Sequence, residues 1–346
     1  MVVVKDFKAL KENNRDQNEI IISENISLVE PLILQPGVTL KGKNSSIQIS
    51  GENQLIGLTK NNSIEDITLT TNKDKDAIFF NPTDIEGIFT LKNIISHGAI
   101  TLISKNAKND IEVNIETINI VEADVTHKKE GPQGYGVTVI QGALTLWNQT
   151  PGIRFDTEIK DISIGQEGNP VNGSGVFVSG TEDANIYSHL IMTNNIYTNG
   201  LLTEGTSAIG FVNFGNIEKL DIQAPIKTKG TGARGINNYD GTIEQLDINV
   251  IETKGDGAIG IQISQPVGNV MVHTDIITHG GTGESLVKGE IKQLSAIGIS
   301  ILDGAEVKSL EVKGNVYTYG KDIEPIQNEG HVHNGIRVLG EALNKA

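Results

Sequence analysis

The chain has 346 residues, no cysteine, and 43 acidic against 28 basic side chains, which gives a formal charge of −15. This charge argues against nucleic acid or an anionic membrane as a partner, and the lack of cysteine excludes disulfides, thiolate metal sites and a cysteine nucleophile. The sequence has no run of 18 apolar residues and no signal-peptide pattern, so we expect no membrane span and recognise no targeting segment.

A short helix is predicted within an N-terminal cap formed by residues 1–17. Asp6 is a favourable N-cap residue, and the apolar residues Phe7 and Leu10 stand three positions apart. A helix here would cover the open end of the strands that follow, which would otherwise pair with other chains.

A phrase of 11 residues, Ile-x-Thr-Lys-Gly-x-Gly-Ala-x-Gly-Ile, begins at Ile226 and again at Ile251, 25 residues later. Its last glycine aligns with other glycines that precede an apolar residue: Gly136, Gly175, Gly210, Gly235, Gly260, Gly298 and Gly335. Weaker members of the series are Gly57, Ala77 and Ala99. Apolar and variable positions alternate after each strong glycine, which predicts a short strand with one buried face.

Two further strands are predicted in each repeat. One follows the pattern Ile-x-x-Leu-x-Ile, which starts at Ile217, Ile243 and, with valines, at Val307. The other follows Ile-x-Thr-x-Gly and starts at Ile196, Ile226, Ile251, Ile276 and Val316. Three short strands per repeat predict a coil, and coils stacked about 4.8 Å apart would pair their backbones and fill a continuous interior.

We therefore predict an all-β chain that forms a single-domain, right-handed parallel β-helix of about ten coils over residues 18–340, with a C-terminal cap at 341–346. Leucine-rich repeats are disfavoured because their asparagine is missing, and left-handed hexapeptide helices are disfavoured because the spacings are not multiples of six. Asn213 and Asn238 occupy an inward position in adjacent coils. We expect these two amides to form a hydrogen-bonded ladder.

From about residue 18 to residue 340 the chain resembles the pectin-lyase-like right-handed β-helix superfamily. The resemblance lies in the first coils, residues 20–49 and 56–71, and in the repeated phrase, which is similar to the repeats of autotransporter-passenger and other adhesin-like β-helices. Enzymes of this superfamily carry recognisable site motifs, such as Asp-Asp or Gly-His-Gly, and neither occurs here. The resemblance therefore implies the architecture and leaves no catalytic residue to carry over.

Residues 127–156 hold the best candidate site, on predicted insertions beside the coils. Trp147, Phe155 and His127 are the candidate ligand-binding residues, because sugars stack on aromatic faces. Arg154, Asp156 and Tyr135 are the candidate catalytic residues.

Two other groups of polar residues are interpreted as surface groups that do not form a binding site. Asp221 and Asp247 lie outward on matching strands and read as solvated surface. His331 and His333 share one side of an extended segment, but two imidazoles are too few for a metal site. The sequence therefore predicts no metal and no cofactor.

The preferred hypothesis is a non-enzymatic, adhesin-like scaffold that is secreted or displayed at the cell surface and binds a polysaccharide or a surface protein. The alternative is a polysaccharide-active lyase or glycoside hydrolase with a divergent site in residues 127–156. Fold alone does not decide between them. A monomer and a homotrimer are both compatible with the sequence.

Overall fold

The protein is described by a computed structural model that covers residues 1–83, 85–129, 139–180, 186–192, 200–287 and 290–346. Within these residues the regular structure is β-strand, apart from the single helix α1 (Phe7–Asn13). The strands of the first coils are β1 (Val2–Val4), β2 (Glu19–Ile22), β3 (Ile26–Ser27), β4 (Leu32–Ile33), β5 (Thr39–Gly42), β6 (Gln48–Ser50), β7 (Ile56–Leu58), β8 (Ser63–Thr70) and β9 (Asp76–Phe80). The middle coils contain β10 (Gly87–His97), β11 (Ala99–Ser104), β12 (Ile111–Glu122), β13 (Gly142–Asn148), β14 (Phe155–Ile164), β15 (Val171–Asn172), β16 (Ser174–Ser179), β17 (Ile186–Met192), β18 (Leu201–Glu204) and β19 (Ile209–Phe214).

The last coils continue with regular strands and one hairpin. Their strands are β20 (Asn216–Ile222), β21 (Ile226–Lys229), β22 (Arg234–Asn238), β23 (Ile243–Ile248), β24 (Ile251–Lys254), β25 (Ile259–Ile263), β26 (Val267–Val272), β27 (Ile276–Thr278), β28 (Thr282–Val287), β29 (Glu290–Ser295), β30 (Ile299–Ile301), β31 (Glu306–Val312), β32 (Val316–Thr318), β33 (Ile326–Asn328), β34 (His331–Val332), β35 (Ile336–Val338) and β36 (Ala342–Asn344).

The strands form a parallel β-helix with three faces. The first face runs through β2, β5, β8, β10, β12, β14, β17, β20, β23, β26, β31 and β34, each parallel to the next. The second face includes β18, β21, β24, β27, β32 and β36. The third face is a separate sheet of 11 strands in the described chain, from β4 to β33. The all-β parallel β-helix is thus confirmed, and its right-handed sense stays a prediction.

In four coils the corner between the first and second faces is a single residue with a left-handed backbone. Asp66, Asn93, Thr117 and Asp161 have φ between 52° and 58°. They occupy matching positions in β8, β10, β12 and β14, so each of these strands bends there and contributes to both faces. Residues other than glycine are uncommon at such φ, and Asn and Asp tolerate it best.

The interior is filled by aliphatic columns that run along the stack. Ile236, Ile261 and Ile299 lie directly above one another on the third face and are 0 % exposed. On the first face, Ile243 pairs with Val267 and Val267 with Val307, and all three are buried. The predicted inward positions of these repeats are confirmed.

The predicted asparagine ladder is present. Asn213 Nδ2 donates to Asn238 Oδ1 at 2.7 Å, and both side chains are buried. Asn213 also accepts from the backbone N–H of Gly215, and Asn238 donates to the carbonyl of Gln265. The two amides therefore satisfy each other and the turns beside them, as buried polar groups require.

The repeat alignment assigned Gly335 to the wrong strand. In the last coil the third-face strand is β33, whose Ile326 pairs with Ile299, whereas Gly335 precedes the first-face strand β35. In the coil of β13, Leu144 takes the interior position above Val176. Gly136, whose following residue was predicted to take that position, lies outside the described residues. A short apolar alternation recurs on every face, so the motif alone does not identify the face.

The outer side of the third face is buried as well, which the sequence did not predict. Phe177, Val212, Asn237, Gln262 and Ser300 form an outward column, and all are buried. The antiparallel hairpin of β28 and β29 lies against the turns that precede two strands of this face, since a Cβ built at Gly232 would stand 2.5 Å from Ser285 Oγ and one built at Gly257 would stand 3.0 Å from the carbonyl oxygen of Leu294. The outward column is therefore shielded from solvent, which an alternating pattern alone does not indicate.

Both ends of the stack are resolved. Asp6 Oδ1 accepts from the N–H of Ala9 at 2.8 Å, which confirms the predicted helix cap, and Leu10 of α1 is buried against the core. β1, which precedes α1, already pairs with β2. At the other end the tail is a strand, β36, that pairs with β32.

The ladder predicts that replacing Asn213 destabilises the protein more than replacing an exposed asparagine of the same sheet. Asn213→Ala removes the partner of Asn238 Oδ1 and of the Gly215 N–H, so we expect the free energy of unfolding to fall by about 2 to 3 kcal/mol. Asn328→Ala, at an exposed asparagine of the same sheet, is the control and should change it by less than about 0.5 kcal/mol. If urea denaturation shows the same loss of unfolding free energy in both variants, the ladder does not contribute to stability.

The corner at Asp66 predicts a pH dependence. Asn93 Nδ2 donates to Asp66 Oδ1 at 2.8 Å, and this hydrogen bond, with Lys41 3.2 Å from the carboxylate, holds the pKa of Asp66 below its usual value. The ionised form thus contributes stability that is present above the unfolded pKa of about 3.9 and is lost as the pH falls through the lower folded pKa. Asn93→Gly keeps the backbone accessible and removes the donor, so the pKa of Asp66 should rise and the loss of stability below about pH 4 should become shallower.

An NMR titration of the Asp66 carboxyl, with urea unfolding at several pH values, measures both effects. Asn106→Gly is the matched control, because Asn106 also has a left-handed backbone (φ 60°) and is exposed. An unchanged Asp66 titration in Asn93→Gly would contradict the assigned cause.

Candidate functional site

A polar groove follows the outer side of the first face. Two adjoining hollows of about 680 and 730 Å³ share Glu218, Thr242 and Glu244 in their walls. One extends to Arg154 and Asp156, and the other extends past β26 to the last coil. From β12 to β34 the groove crosses eight adjacent strands, which corresponds to about 34 Å at 4.8 Å per strand.

The pattern Ile-x-x-Leu builds this groove. Ile217 pairs with Ile243 and Lys219 with Gln245, so the extra residue in each strand, Glu218 or Glu244, bulges outward. The interior residues before and after the bulge stay in register, because Leu220 pairs with Leu246. A bulge therefore presents two consecutive polar side chains to solvent without disturbing the core.

The walls of the groove are predominantly acidic. Their carboxylates are those of Glu112, Asp156, Glu158, Glu218, Glu244 and Glu306. Their basic side chains are Arg154, Lys219 and Lys308. The remaining polar lining consists of amides, hydroxyls and one imidazole, including Asn114, Asn216, Asn269 and His333.

Most acids on this face have a basic neighbour in the next coil or in the same strand. Lys92 Nζ is 3.0 Å from Glu116, and Lys160 Nζ is 2.6 Å from Glu158, which raises the pKa of that lysine. Glu218 and Glu244 differ, because no ion pair within 4 Å involves either of them in the described chain, and both are exposed. Two like charges in adjacent strands repel each other, so the middle of the groove holds uncompensated negative charge.

The structure brings two of the predicted catalytic residues together in the groove. Arg154 Nε donates to Asp156 Oδ1 at 2.7 Å, and both side chains are largely exposed. The backbone N–H of Arg154 donates to Asp110, which fixes the start of β14. Tyr135, the third candidate, lies outside the described residues.

The predicted ligand-binding aromatic residues do not face the groove. Trp147 belongs to β13 and Phe155 to β14, so the expected insertion loop is in fact the end of one strand and the beginning of another. Phe155 is fully buried in the core 6.0 Å from Phe80, and Trp147, 3 % exposed, packs 5.5 Å from Phe177 on the outer side of the third face. Both rings are buried, so neither offers a free face for stacking on a sugar.

His127 is exposed in a turn beside the third face. The adjacent Lys128 contacts the buried carboxylate of Asp76, which also accepts from Thr101 Oγ1 at 2.6 Å. The segment around His127 is thus held in place by a buried ion pair, and it lies apart from the groove.

Asp221 and Asp247 are register neighbours, as expected, and each has a local partner. Asp221 is 3.4 Å from Lys219, and Asp247 is 3.5 Å from His273. Both side chains are only partly exposed, 17 % for Asp221 and 14 % for Asp247, so they are less solvated than predicted.

Comparisons of the chain with protein-family models, curated proteins and solved structures give no match. The described residues contain no helix long and apolar enough to cross a bilayer. The geometry of the groove therefore carries the functional argument.

The burial of Trp147 can be tested directly, since it is the only tryptophan. We expect blue-shifted emission that iodide quenches weakly in the folded protein and strongly in denaturant, because the indole is shielded from solvent. Strong quenching in the folded state would place the ring at the surface and restore it as a ligand-stacking residue.

Proposed function

We propose that the protein is a non-enzymatic β-helical scaffold that binds a neutral glycan chain along the groove of its first face. The observation that carries the proposal is the continuity of the groove across eight strands, with the unpaired Glu218 and Glu244 at its centre. Carboxylates and amides are good acceptors and donors for sugar hydroxyls. A pyranose unit is similar in length to the strand spacing, so successive sugars would meet successive coils.

The charge of the groove favours a neutral ligand over an acidic one. Among the described lining residues, six carboxylates against three basic side chains would repel a uronan, and the exposed Glu218–Glu244 pair has no cation to contribute to a carboxylate-binding site. A basic peptide is the other ligand compatible with this charge. We favour the glycan because the described side chains that reach the groove are mainly hydrogen-bonding groups.

The alternative is a polysaccharide-active enzyme, and the presence of Arg154 and Asp156 in the groove favours it. These two groups neutralise each other through their 2.7 Å hydrogen bond, and Trp147 and His127 lie on other parts of the coil. General acid–base chemistry needs two groups that converge on one reacting bond. The scaffold therefore remains the preferred proposal.

We also propose that the chain is adhesin-like and acts outside the cell or at its surface, as a relative of the pectin-lyase-like superfamily. The three-faced parallel coil and the repeated glycine phrase support this proposal.

Binding to immobilised neutral, amino and uronic glycans, followed by calorimetry, tests the proposal. We expect a neutral glycan to bind, and Glu218→Ala/Glu244→Ala to weaken it at least tenfold, about 1.4 kcal/mol. Glu52→Ala/Glu324→Ala, which removes two exposed acids outside the groove, should leave the affinity unchanged.

The same mixtures are assayed for reducing and unsaturated ends. Cleavage that Arg154→Ala or Asp156→Ala abolishes would replace the scaffold by the enzyme. Binding only to a uronan or to a basic peptide would contradict the neutral-glycan assignment.

A further inference from the structure

Three potential metal ligands meet on the last coil, at one end of the groove. One ligand atom from each of Glu306, His331 and His333 lies within 4.8 Å of the other two. His333 Nε2 is 2.6 Å from Glu306 Oε2, and the two imidazole rings are 4.4 Å apart and perpendicular. All three side chains are exposed, so an ion in solution can reach them.

The sheet fixes the backbone of each ligand. Glu306, the first residue of β31, is in register with His331, the first residue of β34. Val332 packs against the core, so its two neighbours project outward on the same side. The N–H groups of His331 and His333 donate to the carbonyls of Ala305 and Val307, each at 2.9 Å.

We propose that Glu306, His331 and His333 bind a late first-row transition-metal ion such as Zn²⁺. Two imidazoles with one carboxylate suit zinc, copper or nickel, whereas calcium and magnesium prefer sets of oxygen ligands. Three protein ligands leave the fourth position of a tetrahedral ion open to water or to another ligand. With zinc–ligand distances of about 2.0 to 2.2 Å, the ligand atoms would stand roughly 3.4 Å apart, which small rotations of exposed side chains achieve.

Other histidines of the chain provide a natural comparison. His97 Nδ1 is 2.9 Å from Glu122, His279 Nε2 is 3.3 Å from Glu252, and His273 also pairs with an acid. Each of these pairs has one imidazole, and in the described part of the chain no second group of three ligands occurs. The metal site therefore depends on the second imidazole that the His-x-His spacing adds.

At this position a bound ion would also connect two neighbouring coils. β34 pairs with β31 on one side and belongs to the last described coil. An ion held by Glu306 and the two histidines would link this coil to the preceding one. It would also stand at the rim of the groove, where Glu306 and His333 form part of the wall.

Calorimetry of the tag-free protein with Zn²⁺ is the direct test. We expect one ion per chain, a higher melting temperature with zinc, and slower amide exchange in residues 331–338. His331→Ala, His333→Ala and Glu306→Gln should each weaken zinc binding at least tenfold, since even loss of an outer partner of a metal ligand costs about 10- to 100-fold. His97→Ala, which removes a paired histidine elsewhere, should bind zinc like the unchanged protein.

Three results would each overturn the assignment: no zinc binding, equal binding by the unchanged protein and Glu306→Gln, or displacement of zinc by magnesium at similar concentration. Glu306→Gln retains the shape of the side chain, so its effect is separable from misfolding. The measurement uses no glycan. Zinc binding and glycan binding can therefore succeed or fail independently.

Discussion

The structure depends on one constraint, which is that each coil must lie in register above the previous one. The parallel ladders satisfy the backbone groups between coils, and the same register places aliphatic side chains in dry columns such as Ile236, Ile261 and Ile299. A shift by one residue would turn each column outward. The register also brings outward residues of distant sequence together, and the asparagine ladder, the groove and the histidine cluster all arise in this way.

The sequence predicted the interior better than the surface. An alternation of apolar residues specifies which side of a strand is buried, and the inward columns and the Asn213–Asn238 contact followed from it. It does not specify what covers the opposite side. The burial of Phe177 and Val212 on the outer side of the third face was therefore missed. The alternation also does not identify the face, which explains the misassigned Gly335.

For the same reason, the sequence predicted only part of the candidate site. Arg154 and Asp156 lie in the groove and contact each other, whereas the aromatic candidates beside them are packed in the interior or under neighbouring side chains. The sequence analysis did not include Glu306 as a metal ligand, although its spacing from the histidines indicates that they are neighbours. Glu306 precedes His331 by 25 residues, the period of the tightest repeat, so one coil separates them. The outward bulge in Ile-x-x-Leu was likewise present in the sequence, although only the paired strands show that successive bulges form a groove.

The charges of the first face indicate where its outward residues have a role besides stability. Along most of this face opposite charges alternate between coils, as with Lys41 and Glu65 or Glu311 and Arg337, and such alternation limits repulsion in a chain of charge −15. Carboxylates also stand side by side in adjacent strands at Asp221 and Asp247, where each has a basic neighbour, whereas in the described chain Glu218 and Glu244 have no ion pair within 4 Å. Local rules are broken most often at functional sites, where the cost is offset by what the site binds. The same reasoning applies to the last coil, where two imidazoles crowd one carboxylate.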